Sequence, residues 1–163
     1  MAYALQPMLR IREVREDKAQ TALAGARRVR FEAEKAKEER EQDFALYEET
    51  KDERRDAIFD ALMNRVISKE KLDLAEEGVA RIDEEGILLL DNVRQAEAVV
   101  REKLKLEDEA HGFYIVAMKN RQKIEEHRAM WEAEDRKDRE YRAEMELEDF
   151  TGRKQADDDD SFD

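Results

Sequence analysis

The amino-acid sequence predicts an all-α fold: a long two-helix antiparallel coiled-coil hairpin with a disordered acidic C-terminal tail. Three observations carry that prediction. Of 163 residues, 46% are charged, five are glycine and one is proline, where ordinary domains have about 25% charged residues, 7% Gly and 5% Pro. Small and apolar residues recur at alternating spacings of three and four, the period of a helical seam. Apolar residues make up 40% of the chain, too many for a polyampholyte that never packs. A sheet-rich fold would need a turn signal about every ten residues. The absence of cysteine excludes a disulfide framework and thiolate chemistry.

The single proline, Pro7, sits where a helix can begin, because the first turn has no use for the missing N–H. From there a first helix is expected over about 7–64. Its seam is expected along Ala19, Ala22, Ala26, Val29, Ala33, Ala36, Arg40, Asp43, Tyr47, Thr50 and Arg54, continuing through Ala57 and Ala61. The tip falls at about 65–68, where Ser68 is a good N-cap for a second helix beginning at Lys69. The second helix is expected over about 69–150. Its seam is expected through Val93, Ala96, Val100, Lys103, Glu107, Ala110, Tyr114, Ala117, Arg121, Ile124, Arg128 and Trp131, and on to Met145 with Asp135, Asp138 and Arg142 in register. Gly78 and Gly86 lie inside this helix and read as weak points, each costing about 1 kcal/mol relative to alanine. Residues 1–150 thus form one coiled-coil domain. Residues 151–163, with Asp157 to Asp160 and Asp163, read as a solvated tail.

A hairpin centred near residue 66 makes a definite set of pairings. Phe44, Leu46 and Tyr47 should meet Ile87 to Leu90, Ala19 and Ala22 should lie opposite Phe113, Tyr114 and Val116, and Trp131 should fall beside Tyr3 and Leu5. The run Phe113 to Met118 exceeds one helical turn, so only about half of it can face a single partner helix. Phe113, Tyr114 and Val116 are therefore a candidate partner-binding patch.

The net charge is −13, which disfavours nucleic acid, and no apolar run approaches the ~18 residues of a membrane span. A soluble cytoplasmic chain without membrane insertion is expected. The charge is uneven. Residues 1–30 hold the bases Arg10, Arg12, Arg15, Lys18, Arg27, Arg28 and Arg30 against the acids Glu13, Glu16 and Asp17, giving one basic end suited to an acidic socket. His111 and His127 lack the converging partners of a zinc site and read as surface residues. No glycine-rich phosphate loop, nucleophile elbow or paired-carboxylate cleft is present, so neither an enzyme nor a cofactor-binding protein is expected.

Two stretches also resemble a known family. Tyr3-Ala-Leu5-Gln-Pro7-Met-Leu9-Arg-Ile11-Arg12 leads into a charged helix, and Lys119-Asn-Arg-Gln-Lys-Ile-Glu-Glu-His127-Arg-Ala-Met-Trp131-Glu leads into an acidic one. Together they resemble the central-stalk proteins of type III secretion, the YscO group, relatives of the flagellar export protein FliJ. The resemblance implies a non-enzymatic stalk and escort protein. One end would enter the pore of the hexameric secretion ATPase, and the stalk would also engage the cytoplasmic ring of the export gate, with secretion chaperones as further partners. It implies an ATPase-facing end made of Tyr3, Leu5, Pro7, Leu9, Ile11 and Arg12 with Trp131. For the export gate it leaves the tip as the candidate contact, with Arg65, Ile67, Lys69, Leu72 and Leu74. The rival reading from the residues alone is a coiled-coil chaperone or adaptor that holds partners on its exposed apolar patch.

Overall fold

The computed structural model describes residues 3–63 and 66–159, with side chains described to residue 148. It contains two α-helices, α1 (Gln6–Asp60) and α2 (Lys69–Asp159). They form two compact units. One combines residues 1–20 with 113–163, and the other comprises residues 21–112.

The helix ends follow local chemistry. The Gln6 N–H donates to the Tyr3 carbonyl at 3.2 Å, closing the turn that starts α1, and Pro7 follows as its second residue. The helix ends at Asp60 rather than near 64. The Leu62 N–H bonds back to Phe59 at 2.9 Å, so the last turn tightens to three-residue bonds. The final turn has no base and ends on an acid, the wrong sign for a helix C-terminus. Ser68 does open α2: its carbonyl accepts the Lys71 and Leu72 N–H groups at 3.1 and 3.3 Å. α2 then continues to Asp159, past the expected boundary at 150. Residues 153–156, Arg-Lys-Gln-Ala, are good helix formers, and the aspartate run begins only at Asp157. The end of the expected tail, 160–163, lies outside the described residues.

In the unit of residues 21–112, α1 and α2 run antiparallel. Tyr47 lies over Gly86, one residue from the position that a centre at 66 assigns it. Phe44 and Tyr47 line a groove with Ile87 and Leu90, while Leu46 borders Leu89 on the opposite side. As far as Trp131 the α2 seam is the expected one, since every residue from Val93 to Trp131 in that series is withdrawn from solvent, but its expected extension to Met145 stops at Asp135, with Asp138, Arg142 and Met145 exposed.

The α1 seam is only partly as expected. Of its residues Ala19, Ala26, Ala33, Tyr47 and Thr50 are withdrawn from solvent, whereas Ala22, Val29, Ala36, Arg40, Asp43, Arg54, Ala57 and Ala61 are exposed. The other inward row is Leu9, Glu16, Leu23, Arg30, Lys37, Phe44, Lys51 and Ile58. Apolarity favoured the alanines, but long charged side chains can lay their stems along a seam and keep their heads in ion pairs. Arg30 does so: its Nε is 2.5 Å from Glu107, which also receives Arg27 at 3.2 Å. Bonds to Glu34 and Glu107 hold the Arg30 guanidinium more firmly in its charged form.

Gly78 and Gly86 also differ from their expected role as weak points. Gly86 is where Tyr47 enters. The tyrosine is 6% exposed, and its hydroxyl donates to the Ile82 carbonyl at 2.9 Å. A Cβ on residue 86 would fall 2.5 Å from the ring and closer still to its hydroxyl. Gly78 receives the Ile58 methyl in the same way, with 3.1 Å to an added Cβ. Both glycines let α1 approach α2 closely.

Candidate functional site

The N-terminal residues of α1 meet α2 within the unit of residues 1–20 and 113–163. Tyr3 is 8% exposed and anchors the contact. Its ring tilts against Trp131 with centroids 5.4 Å apart and against His127 at 5.8 Å. Its hydroxyl lies 2.8 Å from His127 Nδ1 and donates toward the Ile124 carbonyl at 3.4 Å. A buried phenol needs a partner for its polar tip, and here the backbone and the imidazole serve Tyr3. His127 is therefore part of this cluster, although its spacing marked it only as a surface residue. The signal that could have exposed it is its place four residues before Trp131, on the face that receives Tyr3.

Below the cluster, Leu9 is 3% exposed and Leu5 is half-buried. Arg12 is half-buried too, whereas Pro7 and Ile11 face solvent. One turn further on, Glu16 pairs with Arg121, which also pairs with Glu125. These bonds hold the Arg121 guanidinium toward its charged form, Glu16 contributing most. The expected end residues thus divide. Tyr3, Leu5, Leu9 and Trp131 build the helix contact. Ile11, at 53% exposure, joins Met8 and Val14 on an outer apolar strip set among Arg10, Arg15 and Lys18. Beyond Asp135, residues 136–148 of α2 are all exposed, Tyr141 and Met145 among them.

The expected tip residues lie in the other unit. Lys69 is exposed, as are Ile67, Leu72 and Leu74, while Arg65 is outside the described residues. Phe59, Met63 and Val66 are exposed beside them, making this end more apolar than its expected members indicate. In the Phe113 patch, Phe113 and Val116 are exposed but Tyr114 belongs to the seam.

Among the described residues no three His, Asp or Glu side chains converge to hold a metal ion, and no helix is long and apolar enough to cross a membrane. The grooves are shallow and lie along helix surfaces. One of about 340 Å³ is lined by Trp131, Glu132, Asp135, Arg136 and Arg139.

The family model of type III secretion protein YscO matches residues 5–153. The chain belongs to the YscO family. The match takes in most of the terminal contact, both glycine contacts and the exposed stretch of α2, and membership gives the chain a role in type III secretion. The chain matches none of the curated proteins and none of the solved structures with which it was compared.

Proposed function

We propose that this YscO-family protein acts as a non-enzymatic stalk at the cytoplasmic face of the secretion apparatus. Its terminal end enters the hexameric secretion ATPase, and its tip engages the cytoplasmic ring of the export gate. The observation that supports the reading best is the build of the terminal end. Tyr3, Leu9 and Trp131 tie the first turns of α1 to α2, and Met8, Ile11 and Val14 remain exposed among arginines. A fixed apolar strip with basic borders suits insertion into a socket with acidic walls. Apolar anchors supply most of the affinity, and the bases steer the encounter.

Ile11→Asp with Val14→Asp tests this end, since both side chains are exposed. Co-purification with the cognate ATPase should fall at least about tenfold while helicity stays unchanged. Undiminished association would refute the assignment. Leu9 is unsuitable for the test because burial couples it to folding. For the gate contact, Ile67, Lys69, Leu72 and Leu74, with Arg65, are the residues to exchange.

Exposure of Phe113 and Val116 favours an additional escort role for secretion chaperones. Phe113→Ser with Val116→Ser should abolish chaperone capture and leave ATPase association intact.

A further inference from the structure

The exposed α1 row that the seam does not use has a counterpart on α2. Within the unit of residues 21–112, Ala22, Val29 and Ala36 each stand one position before an inward residue, at heptad spacing. On α2, Val99 and Leu106 stand in the same relation to Val100 and Glu107. In an antiparallel pair, stepping back one residue turns both helices toward the same face. The grooves bear this out: Asp43, Thr50 and Glu85, all one position before an inward residue, line one side together. Glu48 and Asp83, each one position after an inward residue, line the other. Val29 and Leu106, at 39% and 45% exposure, therefore share a face, as do Ala36 and Val99.

This face has a charge of its own. The outer shoulders of the apolar rows carry Glu32 and Glu39 on α1 and Glu102 and Glu109 on α2, all exposed; Glu32 has Arg28 at 3.8 Å and Glu102 has Lys103 at 3.4 Å, so Glu39 and Glu109 lead the acidic character of the rims. The opposite face carries mixed charge instead, with Arg27 and Glu38 on α1 and Arg101 and Asp108 on α2, all exposed. From Ala22 to Ala36 the strip is about 21 Å long, or four helical turns. Its floor is apolar at heptad spacing, which is what a third helix reads, and both rims are acidic. A second copy meeting it face to face would set glutamate against glutamate, and the chain's own aspartate-rich end has the wrong sign.

We propose that this face docks an amphipathic helix of a partner protein, its apolar stripe lying over Val29, Val99 and Leu106 and its lysines or arginines reaching the glutamate rims. The surface is separate from the terminal contact and does not depend on it.

The test uses the full chain and two designed helical peptides of three heptads. Both have leucine at core positions, one with lysine at the flanking positions and the other with glutamate. Fluorescence anisotropy should show the lysine peptide binding at least about tenfold more tightly than its twin, and the difference should shrink with salt. Val29→Ser with Leu106→Ser should remove about tenfold of that affinity, while Phe31→Ser, two positions further round α1, should remove none. Glu39→Lys with Glu109→Lys should reverse the preference between the peptides, and it carries the test if the serine variant unfolds. Equal binding of the two peptides, no binding of either, or undiminished binding after both pairs of substitutions would overturn the proposal. So would self-association in light scattering that the serine pair abolishes, because the occupant would then be a second copy.

Discussion

Two buried tyrosines hold the helices in contact, and they do so by different means. Tyr3 meets other rings: Trp131 and His127 close around it, and its hydroxyl shares the imidazole nitrogen. Tyr47 meets an absence, the missing Cβ of Gly86, and its hydroxyl reaches the α2 backbone at Ile82. The first arrangement tolerates adjustment because side chains move on both partners. The second does not, because a ring lies against a main chain. The terminal contact is therefore the more forgiving of substitution, while the contact at Tyr47 fixes the fit of one helix on the other.

The sharpest way to break the comparison is Gly86→Ala. Alanine gains about 1 kcal/mol in helix propensity, but its Cβ would collide with the Tyr47 ring. The variant should lose a net 1–3 kcal/mol, roughly, in urea denaturation. Adding Tyr47→Ala should make the alanine at 86 harmless, a coupling that a double-mutant cycle would read. Stability equal to or above that of the parent protein would show that the ring moves freely.

Tyr3→Ala should cost less, about 1–2 kcal/mol, below the 3–5 of aromatic truncations in full cores. Its loss should appear as local opening. Amide hydrogen exchange should accelerate in the first turns of α1 and around Ile124 to Trp131, with the rest of the chain unchanged. Acceleration spread over both helices would show the terminal contact to be part of a single cooperative unit.

Gly78→Ala sharpens the contrast between the two glycines. The atom it would approach is the terminal methyl of Ile58, which can swing aside. Gly25 and Gly112 have nothing within 4 Å of an added Cβ. Each of these three substitutions should be neutral or stabilising by up to about 1 kcal/mol, seen as a rise in thermal midpoint. A loss at position 78 would extend the strict packing of Gly86 to Ile58.

The smallest effect concerns acid. The Glu85 carboxyl is held below its ordinary pKa, mainly by its hydrogen bond from Arg54 at 2.6 Å. A carboxylate lowered in the folded state stabilises above the ordinary carboxylate range, and that contribution disappears as pH falls through the lowered value. Glu85→Gln should therefore flatten the acid limb of a stability–pH curve slightly and leave stability at low pH unchanged. An unaltered acid limb would mean that the pair is fully screened.

The α2 seam was legible in the sequence because alanine, valine, tyrosine and isoleucine keep the period there even where Lys103, Glu107 and Arg121 interrupt it. The inner α1 row was not, because charged residues occupy it: Glu16 and Arg30 are made acceptable by partners on α2, and Lys37 and Lys51 by Glu41 and Glu48 on their own helix. Trp131 beside Tyr3 followed from the hairpin arithmetic. His127 did not, since its place four residues before Trp131 gains meaning only once Tyr3 is known to lie on that face. Gly78 and Gly86 look like helix defects until the side chains facing them are known. The exposed tip residues Phe59, Met63 and Val66 were also missed, because apolarity near a turn argues for burial.

The contact at Gly86 has a mechanical consequence. With arginine, lysine and glutamate in so many inward positions, sliding α1 along α2 by one heptad would exchange one set of ion pairs for another at little cost. Such a slip would bring Tyr47 against Val79 or Val93, where a branched side chain fills the space that glycine leaves open. Under an axial pull on one helix, shear along this part of the pair is resisted most strongly where Tyr47 sits over Gly86, with Ile58 at Gly78 as a second, softer stop.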